Sequence, residues 1–281
     1  MSMINLDFAN SLKLLLPEER KIRLELVGCG GTGSWLAPAV VRVGKLLIEK
    51  FGKTVEIAFY DPDRVEEKNI YRQNFCAAEI GKNKASALAE RYGLAWGMKV
   101  MAVEKPFSSE SNRYFSGLRV IIGCVDRASA RKSIQDSISA GCVWLDCGNT
   151  RNYGQVLCGV MPEYKVKAFA IPGYCGMLPL PGVVHPELVE TEEHKKDEIA
   201  TSPSAPRNDN APSCADMALL DSQGLAINQR MAAEAADYLV RMLITKDLRK
   251  FATYIDLESG TTQSKYITEK EIKSWRKNEK S

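Results

Sequence analysis

The stretch LELVGCGGTGSWLAPAVVRVG, Leu24 to Gly44, decides how this chain folds. An apolar run, Ile22–Val27, breaks into four glycines within six residues and resumes as an amphipathic pattern. Gly28, Gly30 and Gly33 satisfy G-x-G-x-x-G, with Gly31 between them. Leu36, Val40, Val43 and Leu47 fall on one face at helical spacing, so Ser34–Phe51 is predicted to be a helix. Pro38 lies in its first turns, where a missing N–H is tolerated. A strand, a glycine turn and a helix in this order let a phosphate approach bare backbone at the positive end of a helix dipole. Dehydrogenases, methyltransferases and other nucleotide-binding proteins share this motif, so the turn alone does not choose the chemistry.

Outward from the turn, strands alternate with helices. Strands are predicted at Thr54–Tyr60, 99–103, 120–124 and 143–146, with helices at 85–92 and 128–140. That alternation implies a Rossmann-like, doubly wound α/β fold with a mainly parallel sheet. Residues 1–21 are read as an N-terminal helical segment, with a helix over 11–20, and 22–148 as the nucleotide-binding core. Residues 149–269 continue the same domain as an antiparallel extension. YGQVLCGVM and KVKAFAI are expected to form a hairpin or meander there. A polar crossover loop is expected over 187–213, a long helix over 217–244, two short strands in FATYIDLESG and SKYIT, and a solvated basic tail over 270–281.

The next motif separates hydride transfer from phosphate chemistry. YDPDRVEEKNIYRQNF, Tyr60 to Phe75, sets Asp61 and Asp63 at a strand end, then Asn69, Arg72 and Gln73. GKNKASAL follows, with Lys82 and Lys84. Asp61 suits a ribose hydroxyl, which NAD and ATP share. A hydride-transfer site needs no cations clustered at the phosphates. A site that adenylates does, because charge builds on phosphate oxygens and Arg or Lys must meet it.

In these motifs the chain resembles the ThiF/MoeB superfamily, the fold of the ubiquitin-activating enzymes. The family pattern is a glycine turn, D-x-D-x-V-x-x-x-N-x-x-R-Q, G-x-x-K, and an Asp after a fourth strand. Here these read Gly28–Gly33, DPDRVEEKNIYRQ, GKNK and CVDRASAR. The likeness is close over about 22–148 and looser over Cys214–Leu243. By resemblance, Asp61 is the ribose-binding acid, and Asn69, Arg72 and Lys84 grip the ATP phosphates. Asp126 holds Mg²⁺, or caps the helix that begins at Ala128, or both. Gln73 supports Arg72 by a hydrogen bond. The implied cofactors are ATP and Mg²⁺. The implied reaction is adenylation of the C-terminal glycine carboxylate of a small ubiquitin-like protein, with transfer to a cysteine as a possible second step.

Cys214, at the end of the polar loop and before the long helix, is the first candidate nucleophile; a helix N-terminus favours the thiolate. Cys175, in a Gly/Pro-rich loop, is the second. Cys124, Cys142, Cys147 and Cys158 read as small core residues, and Cys29 lies in the glycine turn. The eight cysteines contain no C-x-x-C pair, so no zinc is expected, and His185 and His194 are weak metal candidates. The family's N-terminal R-Y-x-R-Q-like element is missing; only Arg20 and Arg23 stand near its place. Arg127 follows Asp126 where Asn is common. The absent zinc pairs and the segment PSC…Q-x-L-x-I-N resemble PRTRC-system ThiF proteins of bacterial mobile elements. A homodimer is implied by the family.

A net charge of +3 with 26% charged residues is too mild to point to nucleic acid. No run approaches a membrane span, and the N-terminus lacks a basic start and a small-residue cleavage site. The chain is therefore read as cytoplasmic. Two other readings use the same glycine turn: an NAD-dependent oxidoreductase and a non-catalytic nucleotide-bound scaffold. Activation of a small carboxylate is a further variant of the leading one.

Overall fold

The computed structural model describes residues 6–108, 115–161, 168–189 and 223–278. In chain order the elements are α1 (Leu6–Ala9), β1 (Lys13–Leu14), β2 (Lys21–Val27), α2 (Gly31–Phe51), β3 (Thr54–Tyr60) and α3 (Lys84–Trp96). Then come β4 (Val100–Val103), β5 (Leu118–Gly123), α4 (Ala128–Asp136), β6 (Cys142–Asn149) and β7 (Tyr153–Val160). The remainder is β8 (Tyr174–Cys175), α5 (Pro181–Val184), α6 (Gln223–Leu243), β9 (Lys250–Asp256), β10 (Thr261–Tyr266) and α7 (Glu269–Asn278).

Eight strands form one sheet in the order β10-β9-β7-β6-β5-β2-β3-β4. The β6-β5-β2-β3-β4 part is parallel; β6-β7, β7-β9 and β9-β10 are antiparallel. This is the expected fold: a mainly parallel doubly wound sheet with a C-terminal antiparallel extension. The central strands are buried on both faces, and all six residues of β5 are buried. α2, α3 and α6 cover one face through Leu36, Val40, Leu47, Leu88, Ile227 and Leu239. α4 covers part of the other, where Ile134 packs with Ile121 and Trp144. Because β3 lies on one side of β2 and β5 on the other, the winding reverses between β2 and β5. A crevice opens at the carboxyl ends of strands at such a point.

Several expected elements differ. No helix spans 11–20; among the described residues up to 21, helix is confined to Leu6–Ala9. The backbone N–H groups of Leu12, Lys13, Leu14 and Leu15 donate to Ile267, Gly173, Leu248 and Cys175, so tertiary pairing takes the donors a helix would use. The second helix starts at Gly31, three residues earlier than predicted, because the glycine motif is its first turn. α4 stops at Asp136 rather than Ala140, and the Ser137 carbonyl beyond it accepts from Arg119 Nη1 at 3.1 Å. β7 pairs with β6 and β9, and KVKAFAI is seen only in part. Its described part, 168–171, is turn, and the rest lies outside the described residues. The C-terminal helix is docked rather than solvated, with Ile272 1% exposed and Trp275 packed on the core. The crossover beyond residue 189, the start of the long helix before 223, Cys214 and His194 lie outside the described residues.

Candidate active site

A cleft of about 1570 Å³ opens at the reversal point. The glycine turn forms its floor. Gly28 N–H donates to the Tyr60 carbonyl at 2.9 Å, and Cys124 N–H donates to the Val27 carbonyl at 2.7 Å, so the ends of β2, β3 and β5 are held in register. Gly28 has φ +89°, a backbone region that disfavours other residues. The N-terminus of α2 follows at once and lines the cleft through Gly31 and Thr32.

Asp61 is 6% exposed. Its Oδ2 accepts from Cys29 N–H at 2.6 Å and its Oδ1 from Asp63 N–H at 2.8 Å. Burial pushes its carboxyl above the ordinary range, opposed by these two amides and by Lys84. Lys84, the first residue of α3, is 7% exposed and lies 3.1 Å from Asp63 Oδ2. Asn83 caps this helix by accepting from Ser86 N–H at 3.0 Å, while its Nδ2 donates to the carbonyls of Asp61 and Asp63. One amide thus ties the acidic strand end to the helix that carries Lys84.

Asn69 is buried, and its Oδ1 accepts from Glu66 N–H at 2.9 Å. Its carbonyl accepts from Arg72 and Gln73 N–H. Asn69 therefore shapes the loop that presents Arg72. Trp35 Nε1 donates to the Arg72 carbonyl at 3.3 Å, fastening that loop to α2. Arg72 lines the cleft, and its Nε is buried with no hydrogen-bond partner among the described residues. Gln73 Oε1 is likewise buried and unpartnered. The expected Gln73–Arg72 hydrogen bond is thus not formed: the donor and the acceptor that would make it are both left open.

Asp126 is exposed on the opposite lip. It does not cap α4: the N-cap is Arg127, whose side chain makes no capping bond. Behind it Arg131 Nε lies 3.2 Å from Asp146 Oδ1, and Arg131 Nη1 donates to the Asp126 carbonyl at 3.4 Å. Burial pushes the Asp146 carboxyl up to about 6, with the Arg131 guanidinium pulling the other way. Cys175, read as exposable, is fully buried, and its Sγ donates to the Met177 carbonyl at 3.0 Å. His185 contacts Glu187 Oε1 and the Tyr254 hydroxyl, each at 2.9 Å. No group of three His, Cys, Asp or Glu suited to a metal occurs among the described residues.

The cleft thus brings together the glycine turn, Asp61, Asp63, Asn69, Arg72, Gln73, Lys84 and Asp126. The sequence reading missed Asn83, Arg131, Asn149 and Asn228. Asn83 carried a signal as a capping residue before a helix. Asn228 carried another, as an amide in the buried stripe of Met231 and Ala235.

A doubly wound sheet with its crevice at the reversal point defines a Rossmann-like class of protein. Within it the sequence matches the ThiF family over residues 15–274, and the chain belongs to that family. Its fold is similar to selenomethionine PaaA, at 15% identity and TM-score 0.52, covering 88% of this chain and 64% of that one. It is similar to E. coli MccB with ATP, at 12% and 0.51, with the same coverages of 88% and 64%. It is also similar to E. coli MccB with selenomethionine MccA, at 14% and 0.50, again covering 88% and 64%. The chain therefore spans less than two thirds of the length of these relatives, and the likeness is one of fold. No curated protein matches it.

Proposed function

We propose that the protein is an ATP-dependent adenylating enzyme that activates a carboxylate on a small protein or peptide. The observation that carries this is Arg72 Nε, buried and unpartnered on the wall of the cleft that also holds Lys84. A guanidinium N–H in that state lacks an anionic acceptor. Membership of the ThiF family and the fold shared with MccB, which is described with ATP and with MccA, support the reading.

The chemistry asks little covalent work of the protein. A carboxylate oxygen bonds to the α-phosphorus of ATP, the bridging Pα–O bond breaks, and its electron pair leaves with pyrophosphate. No proton moves. The protein must align the carboxylate and meet the charge. Arg72 and Lys84 meet the triphosphate, and Asp63, 66% exposed at its side chain, holds the Lys84 ammonium until that anion replaces it. Asp61 accepts a ribose hydroxyl on lone pairs that its two backbone donors leave free. Asp126 fits Mg²⁺, since an exposed carboxylate beside phosphate oxygens is the donor set a hard cation takes. Mg²⁺ supplies charge neutralisation there. Asp126→Asn is expected to raise the Mg²⁺ needed for half-maximal ATP binding by about tenfold; unchanged Mg²⁺ dependence in titration calorimetry would remove Asp126 from the site.

The finer assignment follows the sequence resemblance. The acyl partner is a ubiquitin-like protein ending in Gly, the protein is a cytoplasmic homodimer, and the subtype is the PRTRC-system one. Among the described residues no helix is long and apolar enough to cross a membrane. Cys214 is the proposed thioester carrier, and Cys214→Ala should abolish any reductant-sensitive conjugate on denaturing gels; a persisting conjugate would rule it out. The deciding experiment is calorimetry with ATP–Mg²⁺ and with NADH, followed by pyrophosphate exchange with glycine-ended peptides and ubiquitin-like proteins. ATP binding with carboxylate-dependent exchange supports the reading. NADH binding in place of ATP supports an oxidoreductase, and ATP binding with no exchange supports a scaffold.

A further inference from the structure

Three titratable side chains meet in line beside the cleft. The loop after α5 reads HPEL, His185 to Leu188. Its backbone is fixed at both ends. His185 N–H donates to the Pro181 carbonyl at 2.9 Å, and the His185 carbonyl accepts from Leu188 N–H at 3.0 Å. The residue before α5 sits tightly on the sheet, since a Cβ on Gly159 of β7 would stand 2.7 Å from Leu180 Cα. Tyr254, on β9, stands opposite Gln155 of β7 and Gln263 of β10 and lines the cleft. His185 meets it edge-on, with ring centroids 5.9 Å apart at 75°. His185 Nε2 lies 2.9 Å from the Tyr254 hydroxyl, and Nδ1 lies 2.9 Å from Glu187 Oε1. A carboxylate only accepts, so in the neutral imidazole Nδ1 carries the proton and Nε2 is bare. The Tyr254 O–H then donates to Nε2. Hydroxyl, imidazole and carboxylate thus stand in the order of a nucleophile, its base and the group that orients the base.

We propose that Tyr254, His185 and Glu187 form a catalytic triad in which the Tyr254 oxygen takes an acyl group from an acyl-adenylate as an ester; the choice of donor rests on the adenylation reading. Tyr254 Oη bonds to the acyl carbon, the bond from that carbon to the phosphate oxygen breaks, and its electron pair leaves with AMP. The phenol proton passes to His185 Nε2, and Glu187 holds the imidazolium. Of the three, Tyr254 lines the cleft, so the nucleophile faces the reactants while its base stands behind it. Burial, then Glu271 and Glu187, push the Tyr254 phenol above its ordinary range. A standing phenolate is thereby disfavoured, and attack depends on His185 taking the proton as the new bond forms. A phenol is nearly as acidic as a thiol. Its ester therefore stays activated and can pass the acyl group to a thiol or an amine. Stability does not account for the trio. Glu187 is 67% exposed at its side chain, and an ion pair so exposed adds little to a fold.

The test is mass-spectrometric peptide mapping of the full chain after treatment with acetyl-adenylate, a donor that does not depend on the natural acyl partner. Wild type is expected to carry an acetyl ester on Tyr254 that hydroxylamine releases. Tyr254→Phe, which removes a single oxygen, should take up one acetyl group fewer. His185→Gln should acetylate Tyr254 about 10²-fold more slowly, and Glu187→Gln should be slowed less, with circular dichroism confirming that each variant is folded. The wild-type map needs no variant, so the test stands if one of them does not fold. Acetylation of lysines but not of Tyr254, or equal rates in wild type and His185→Gln, would overturn the triad. Calorimetry of wild type with ATP–Mg²⁺ tests the other reading separately. Labelling of Tyr254 without ATP binding keeps the triad and overturns adenylation, whereas ATP binding with Tyr254 unlabelled leaves adenylation standing and overturns the triad.

Discussion

Arg72→Ala is expected to weaken ATP binding at least tenfold and to lower carboxylate-dependent pyrophosphate exchange by about 10²–10³-fold, the usual cost of removing one oriented donor from a developing anion. The expectation follows from the ligand-free state. A buried N–H without an acceptor costs about 1–3 kcal/mol. Here it belongs to a guanidinium on a cleft wall, in a loop fastened by the Trp35 Nε1 hydrogen bond and by the turn around Asn69. The cost is relieved when an oxygen anion arrives. Truncation removes the orphan, while the hydrogen bond from Trp35 to the Arg72 backbone remains. The fold should therefore survive, with circular dichroism and thermal midpoint close to wild type. Arg72→Lys should recover part of the affinity and little of the exchange, because an ammonium supplies charge without the planar fork. ATP affinity and exchange both within twofold of wild type in Arg72→Ala would dismiss the site.

The parallel α/β core was legible because its signals are local. The strand at Ile22–Val27, the glycines and the stripe Leu36–Val40–Val43–Leu47 lie within one short window, and packing reinforces what the pattern says. The D-x-D and G-x-x-K segments were legible as chemistry for the same reason. What failed was decided over long separations. Residues 11–20 read locally as a short helix, yet the N–H groups of Leu12 and Leu14 find carbonyls at Ile267 and Leu248. One partner of β7 arrives more than ninety positions later, as β9, which a local reading of YGQVLCGVM and KVKAFAI does not reach. The site failed in a similar way. Gln73 beside Arg72 invites a hydrogen bond by adjacency, but backbone geometry leaves both groups open. Asn149 and Asn228 meet only because β6 and α6 converge on α2. A single sequence shows Asn228 as an amide in an apolar stripe and Asn149 as an ordinary polar residue, and nothing in it pairs the two.

Gly33→Ala is expected to be strongly destabilising, and Gly30→Ala to leave the fold nearly untouched, although both glycines belong to one motif. A Cβ on Gly33 would stand 1.9 Å from the Gly28 carbonyl oxygen, which no side-chain movement relieves. Gly28 cannot retreat. Its φ of +89° is held by the bond to the Tyr60 carbonyl, and a Cβ of its own would lie 2.5 Å from the Cys124 carbonyl oxygen. Overpacking against fixed backbone costs about 1–3 kcal/mol and more where nothing yields. For a domain of this size each kcal/mol lowers the midpoint by about 2–4 °C. Gly33→Ala should therefore lose about 3 kcal/mol or more and melt about 6–12 °C early. A Cβ on Gly30 meets only Gln73 Nε2, at 3.8 Å, and otherwise faces the cleft. Gly30→Ala should melt within about 2 °C of wild type yet bind ATP about tenfold more weakly, because the methyl occupies the approach that a phosphate needs. Thermal melts and calorimetry on the two variants separate the roles. If Gly30→Ala bound ATP as wild type does, the turn would be a packing device alone, and the phosphates would have to lie elsewhere in the cleft.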